Sequence, residues 1–374
     1  MSDVIVIGAG IVGASCALRL QQDGWQVSLI DAGSPGCGVT AAGMGHLVAL
    51  DETDQELQLC LFSLRLWREF LTSHPGVGEH SACGTLWVAE NEAQLKEAQH
   101  RAERLSQHGW HADALNGEQL RRLEPALRKG LCGGVRVSGD SVVYPPLIAH
   151  HMVQDLEKRG GKLLAGQKVA AIGEGCVVLS NGHRLHARHI VVAAGMGVAD
   201  LLPEIAVFGR KGHLAITDRY PGTLSHQIVS MNYGQAAVSA DALAVAANVQ
   251  PRPSGQWLLG SCRQDQQADT AIDPHALGAV LQAAMALLPC LAEMRVIRAW
   301  AGMRPASPDG QPIIGPHPWR AGVWLAAGHE GLGVTTAMAT AVLLADQIAG
   351  RHSDLNGEAY LPSRFFPSRE VHYA

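Results

Sequence analysis

The chain has 374 residues, 47% of them apolar and 17% charged, with 42 glycines and only 5% aromatics. That balance excludes wholesale disorder, and at roughly 100–200 residues per domain it predicts two or three structural units. The 29 Lys and Arg against 34 Asp and Glu leave a net charge of −5 with no basic block, which argues against nucleic acid as the main partner and against a polybasic membrane-surface protein.

In chain order, Val4–Ile7 is a continuous β-branched run, the pattern of a strand buried on both faces of a parallel sheet. Gly8, Gly10 and Gly13 follow at once. Residues 14–22 read as a helix stopped by Gly24, and residues 25–30 as a second strand ending in Asp31. Together they make a complete βαβ unit. Residues 34–50 form a Gly/Ala-rich loop, 54–73 a helix with a Leu-rich face, 84–89 a short alternating strand and 93–108 a polar amphipathic helix. A new unit begins at 141–144. It continues with a helix over 147–159, a meander of strands at 168–172, 176–180 and 183–187, and a buried strand over 189–195 that runs into Gly195. Strands at 213–217, 242–249 and 256–260 belong to a larger antiparallel sheet. A helix over 268–288, an extended Pro/Gly-punctuated stretch over 299–315, a buried strand at 323–327 and a long helix over 333–349 complete the chain.

Buried parallel-type strands at the start, middle and end, with antiparallel alternation between them, predict an α/β protein. One discontinuous domain comprises residues 1–80, 142–207 and 299–374, and a mostly antiparallel α+β domain is inserted twice, as residues 81–141 and 208–298. The run over 334–349 carries several Thr and an Asp, falls short of a comfortable bilayer span and reads as a buried helix. The N-terminus has no basic segment or cleavage site ahead of its first strand. The eight cysteines, Cys16, Cys37, Cys60, Cys83, Cys132, Cys176, Cys262 and Cys290, include no C-x-x-C pair. That disfavours a metal centre built on local cysteine pairs and predicts reduced, mostly buried thiols. The expected location is cytoplasmic, either free or peripheral to the inner face of the membrane.

The G-x-G-x-x-G run is informative because of where it stands: after a buried strand, opening a helix, with an acid at the end of the next strand. Gly8 permits the tight turn, Gly10 lets the backbone approach a pyrophosphate, and Gly13 lets helix and strand pack closely. The helix N-terminus offers free N–H groups to the anion, and Asp31 can accept hydrogen bonds from ribose hydroxyls. This fingerprint by itself leaves NAD and FAD both open.

Further stretches bear on that choice: residues 40–44 (TAAGM), the strand over 189–195, residues 255–260 (GQWLLG), 302–305 (GMRP), 308–315 (PDGQPIIG) and 328–333 (GHEGLG). In order and spacing, over nearly the whole chain, they resemble the D-amino-acid oxidase superfamily of flavoproteins, in particular its glycine oxidase and D-amino-acid dehydrogenase branch. The resemblance implies a discontinuous FAD-binding Rossmann-like domain of the glutathione-reductase type with an inserted substrate domain. It implies non-covalent FAD, since the C-terminal motif offers no Cys for a covalent link, and no metal. The expected FAD neighbours are Gly8, Gly10, Ile11, Val12, Gly13, Asp31 and Ala32; Thr40, Ala41, Ala42, Gly43, Met44, Gly45 and His46; Val169, Ala194 and Gly195; and Gly328, His329, Gly331, Leu332, Gly333 and Val334.

In the family the Arg of the motif matching Arg304 lies above the flavin and pairs with the substrate carboxylate, through two parallel charge-assisted bonds. The N-terminus of the final helix points at the flavin C2 carbonyl, where negative charge develops. Relatives that carry a second carboxylate-binding group in the segment matching residues 328–333 have no counterpart here, where His329 and Glu330 stand. Where several relatives carry a Tyr or His on the strand before the Pro-Arg turn, this chain has Asn248, with Tyr233 as a second candidate lining residue. The expected reaction is dehydrogenation of a small amino or imino acid, D-, glycine-like or D-proline-like, by hydride transfer from Cα. Oxygen or a quinone-type carrier would be the acceptor, and homo-oligomerisation stays open. The alternatives are a flavoprotein subunit of a larger amine dehydrogenase and an NAD-dependent dehydrogenase.

Overall fold

The computed structural model describes residues 2–50, 52–232, 243–265 and 269–366. The chain divides into two compact units, one of Met1–Ala41, Pro146–Phe208 and Pro305–Ala374, the other of Ala42–Pro145 and Gly209–Arg304.

The first unit is built on a six-stranded sheet in the order Ile313–Pro316, Val323–Ala327, His189–Val192, Val4–Ile7, Val27–Asp31, Lys162–Ala165. All neighbours are parallel except the first pair, which is antiparallel. Val4–Ile7 lies at the centre, with Val4 opposite both His189 and Val27, and each of its four residues is buried. The β-branched run is therefore central because it can be apolar on both faces. Helices Ile11–Gln22 and Gly333–Ala349 pack against each other. The segment Glu330–Ala349 is long and apolar enough to cross a membrane by length and composition, yet it is mostly buried inside the protein, as a core helix of this unit is. The expected meander is a three-stranded sheet of Val169–Gly173, Cys176–Leu179 and Arg184–His186.

The second unit carries an eight-stranded sheet in the order Val296–Ala306, Phe208–Thr217, Trp257–Arg263, Ala244–Pro251, Gln227–Ser230, Thr85–Ala89, Gly133–Val137, Ala112–Asn116. The pair Gln227–Ser230 and Thr85–Ala89 is parallel, whereas Phe208–Thr217 with Trp257–Arg263, Ala244–Pro251 with both its neighbours and Gly133–Val137 with both its neighbours are antiparallel. Helix Asp54–Ser73 is capped by the Thr53 side chain, which accepts from Glu56 N. Helix Pro274–Leu287 is capped by Asp273, which accepts from His275 N and Ala276 N. Its Val280, Ala284 and Leu287 are buried; Ala284 and Leu287 share a core cluster with Trp257, Leu259 and Ile228.

The division differs from the sequence expectation. The first crossing lies after Ala41 and not after residue 80, and the last before Pro305 and not before residue 299. Strand His46–Leu47 pairs with Ser141–Val142, and Ala49 N donates to Asp140 Oδ1 at 3.0 Å. These contacts bind residues 42–80 to residues far along the chain, which no local pattern announces. The loop expected over 34–50 holds the one-turn helix Val39–Ala42. The helix expected from residue 268 begins at Pro274, because Asp273 caps it there.

Candidate active site

In the first unit, the glycines open the βαβ turn for steric reasons. Gly8 has φ +103°, and a Cβ there would lie 2.4 Å from Ala193 O. A Cβ on Gly13 would lie 1.9 Å from Gly8 O, so helix and loop are in backbone contact. At Gly10 an added Cβ would meet only Thr40 Oγ1, at 3.1 Å. The main chain there is open, and helix Ile11–Gln22 has no side-chain cap on its Gly10 N-cap. Thr40 Oγ1 accepts from Ile11 N at 3.0 Å, which brings the residue-40 end of the loop beside the helix start. Thr40 takes the Ile11 N–H, while the open glycine and the positive end of the helix dipole beside it suit an anion such as a pyrophosphate, and the residues present fit a dinucleotide such as FAD.

Asp31 does more than the sequence shows. Its Oδ2 accepts from Ala9 N at 2.6 Å and its Oδ1 from Gly33 N at 2.7 Å. The carboxylate thus ties the glycine loop to the end of the second strand and keeps a second lone pair on each oxygen for ribose hydroxyls. Asp31→Ala is expected to weaken FAD retention by about 1.5–3 kcal/mol, roughly ten- to hundredfold in Kd, and to lower the melting temperature through the loosened Ala9 loop. Equilibrium dialysis with FAD measures the first and a thermal melt the second; unchanged affinity would place the ribose elsewhere.

Ala32 is exposed just past that strand, Val12 is half-buried in the first helical turn, and Val169 is buried at the start of the meander. Ala194 and Gly195 follow the central strand His189–Val192, Gly195 with φ +56°. Gly328 has φ +69° and is buried, whereas Gly331 is exposed and Leu332, Gly333 and Val334 are half-buried at the start of the final helix. Its N-cap residue is Leu332, whose apolar side chain makes no cap bond. His329 is buried as well. Its Nε2 lies 3.0 Å from Thr340 Oγ1, which itself donates to Thr336 O, so the imidazole gives its proton into the helix. Burial pushes its pKa down to about 4, leaving a neutral ring committed to the turn.

In the second unit, Ala42 packs on Gly302, where a Cβ would come within 2.5 Å of Ala42 Cβ, and Ala42 O accepts from Trp300 Nε1 at 3.2 Å. Ala41, in the first unit, and Gly43, in the second, are exposed. Gly45 has φ +86° and would place a Cβ 2.0 Å from Val143 O. Met44 is buried with Leu214 and Leu258.

Arg304, near the end of strand Val296–Ala306, donates from Nη1 to Cys262 O at 3.0 Å. Its guanidinium lies directly over Gly212, where a Cβ would stand 2.6–2.8 Å from Nη2, Nη1 and Cζ. Arg304 is half-exposed and has no carboxylate partner among the described residues. Gly212 was missed at the sequence level; its one signal is a glycine interrupting strand alternation between Lys211 and His213. Asn248 is buried, with Nδ2 3.2 Å from His46 Nε2. His46 Nδ1 meets Gln227 Oε1 in a short hydrogen bond, and Gln250 Nε2 lies 3.3 Å from the same nitrogen. Gln227 and Gln250, both fully buried, also escaped the sequence reading, because nothing local distinguishes a buried amide on a strand from an exposed one. Tyr233 lies outside the described residues.

The chain is similar to known proteins over nearly its whole length. The model of the DAO family, described as FAD dependent oxidoreductase, matches residues 3–347. The chain is 26% identical to hydrogen cyanide synthase subunit HcnC of Pseudomonas aeruginosa, over 98% of this chain and 96% of that one. It is 24% identical to glycine oxidase of Bacillus subtilis, over 93% of each. The crystal structure of glycine oxidase from Geobacillus kaustophilus superposes with a TM-score of 0.87 at 22% identity, covering 97% of this chain and 98% of that one, which shows a shared fold.

Proposed function

This chain belongs to the DAO family of FAD dependent oxidoreductases, and from that premise we propose that it dehydrogenates a small amino or imino acid held by its carboxylate on Arg304. The observation that carries the reading is the Arg304 guanidinium, seated over Gly212, fastened by one bond to Cys262 O and free of any carboxylate among the described residues. A planar fork held in this way has donors left for a bidentate carboxylate. The names of the relatives, glycine oxidase among them, support the substrate class. FAD, when bound, supplies the two-electron acceptor for the hydride that leaves Cα.

The chain's own residues do the rest. Arg304 fixes the substrate's orientation and so converts an encounter into a positioned reaction. As the hydride leaves, the amine gives up a proton and its lone pair closes the C=N bond; with a primary amine, water then releases ammonia and a 2-oxo acid. The start of helix Gly333–Ala349 brings the positive end of its dipole to developing negative charge. Asn248, an amide where the family resemblance leads one to expect an aromatic ring, supports a cyclic substrate such as D-proline or a hydroxylated D-proline. The cofactor is held without a covalent link.

A panel of glycine, sarcosine, D-amino acids and D-proline with an artificial electron acceptor, repeated with oxygen, tests the reading. The expected result is a yellow protein that releases FAD on acid treatment and reduces the acceptor with at least one member. Colourless protein that binds NAD, or yellow protein inert to the whole panel, would overturn it. A relative named as a synthase subunit favours a second reading, in which this chain works within a larger assembly. Activity that appears only in a purified complex would select it.

A further inference from the structure

Gln227 is fully buried, and its amide nitrogen donates to Ser141 O at 3.3 Å and Thr85 Oγ1 at 3.2 Å. A carbonyl oxygen only accepts, so the nitrogen of Gln227 is fixed on that side and its oxygen faces His46 Nδ1. That oxygen also only accepts and makes the closer contact, so Nδ1 carries the proton, and the longer 3.3 Å approach of Gln250 Nε2 to the same nitrogen is not a hydrogen bond. Burial, with the charges of Arg252 and Arg304 adding to it, brings the imidazole down to about 4. The ring is therefore neutral near pH 7, and Nε2 presents a lone pair. Asn248 Nδ2, 3.2 Å away, donates to it. Asn248 is thereby locked with Oδ1 turned away from His46, and this buried oxygen meets no donor among the described residues. Folded proteins keep a buried acceptor in that condition where something outside the chain supplies the donor.

The same face of the sheet carries Arg304's guanidinium. Asn248 is the cross-strand partner of Gly260. A Cβ on Gly260 would strike the side chains of Leu214 and Met44, and Leu214 is two residues from Gly212, over which the guanidinium lies. Gly212, Leu214, Gly260 and Asn248 therefore share one face. Arg304's anchor, Cys262, stands one strand over from Asn248 and two residues past its partner Gly260, which is about 8 Å of backbone separation.

We propose that Gln227 and His46 position Asn248 Oδ1 to accept the substrate's amino N–H, so that the substrate is gripped by Asn248 at nitrogen and by Arg304 at the carboxylate. This rests on the reading of Arg304 given above. Asn248 touches substrate; His46 and Gln227 act through it as positioning residues. The grip selects amino acids over plain carboxylates of the same shape.

The test uses two probes that cannot be turned over. 2-Aminoisobutyrate has no Cα hydrogen, and pivalate replaces its ammonium group with a methyl. Dissociation constants on the FAD-loaded protein are read by calorimetry. Wild type should prefer 2-aminoisobutyrate. Asn248→Leu should weaken 2-aminoisobutyrate about tenfold to a hundredfold, leave pivalate roughly unchanged and erase the preference. Asn248→Ser, smaller and unable to reach, should do the same should the Leu variant not fold. His46→Leu should lower the preference several-fold, a discrimination that lost packing alone does not move. Equal effects on both probes, no effect on either, or a wild type with no preference would overturn the proposal. Arg304→Ala separates the two levels. If it weakens both probes while the Asn248 variants leave their ratio alone, only the amino grip fails; if it weakens neither, the reading of Arg304 fails.

Discussion

Arg304→Ala should lower kcat/KM on the best amino acid by about thirtyfold to several thousandfold, corresponding to about 2–5 kcal/mol for leaving one member of a desolvated charge pair alone. The protein should stay yellow, because Arg304 is fastened within the second unit to Cys262 O and the glycine turn, Asp31 and the final helix lie in the first. Arg304→Lys should recover only part of the loss: a point charge cannot reproduce two parallel bonds, and an ammonium does not lie flat over Gly212 as the guanidinium does. Steady-state kinetics with absorbance of the bound flavin reads both. A yellow Arg304→Ala enzyme within a few-fold of wild type would refute the assignment, and the carboxylate site would then be sought at Arg252, which is buried and already paired to Glu79 at 2.9 Å.

Gly13→Ala should cost both stability and cofactor. The added methyl would sit 1.9 Å from Gly8 O and 3.2 Å from Ala193 Cβ. A backbone oxygen inside a βαβ turn cannot step aside without opening the turn. Overpacking of this kind costs about 1–3 kcal/mol, and lost FAD removes a further contribution of about 2.7 kcal/mol at a hundredfold excess over Kd. The expected variant melts well below wild type and emerges colourless. Gly278→Ala is the control: it lies in helix Pro274–Leu287 with nothing within 4 Å of the new methyl, and should gain about 0.5–1 kcal/mol. Equal melting temperatures and equal flavin content for Gly13→Ala and wild type would show that the close approach is not needed.

Wherever neighbouring residues dictate structure, the bare chain was enough. A β-branched run at Val4–Ile7 predicts a strand buried on both faces, and it is the centre of a parallel sheet. Gly8, Gly10 and Gly13 predict a tight turn into a helix; a Cβ on Gly8 or Gly13 would strike backbone, and at Gly10 the main chain is left open. The helix over 54–73 has the bounds its Leu-rich period predicts. Arg304, through the motif around it, was singled out from the sequence, and the structure seats it on Gly212.

What tertiary structure alone decided involves partners far apart in the chain. The unit boundary after Ala41 follows from His46–Leu47 pairing with Ser141–Val142. The double duty of Asp31 depends on Ala9 N arriving within 2.6 Å, and the commitment of His329 to the final helix on Thr340. The relay through Gln227, His46 and Asn248 joins three segments whose local patterns say nothing of one another. Periodicity and turn chemistry act over a few residues and are legible in order along the chain. A hydrogen bond between buried side chains on different strands depends on register and burial, which are settled only when the whole sheet has closed around them.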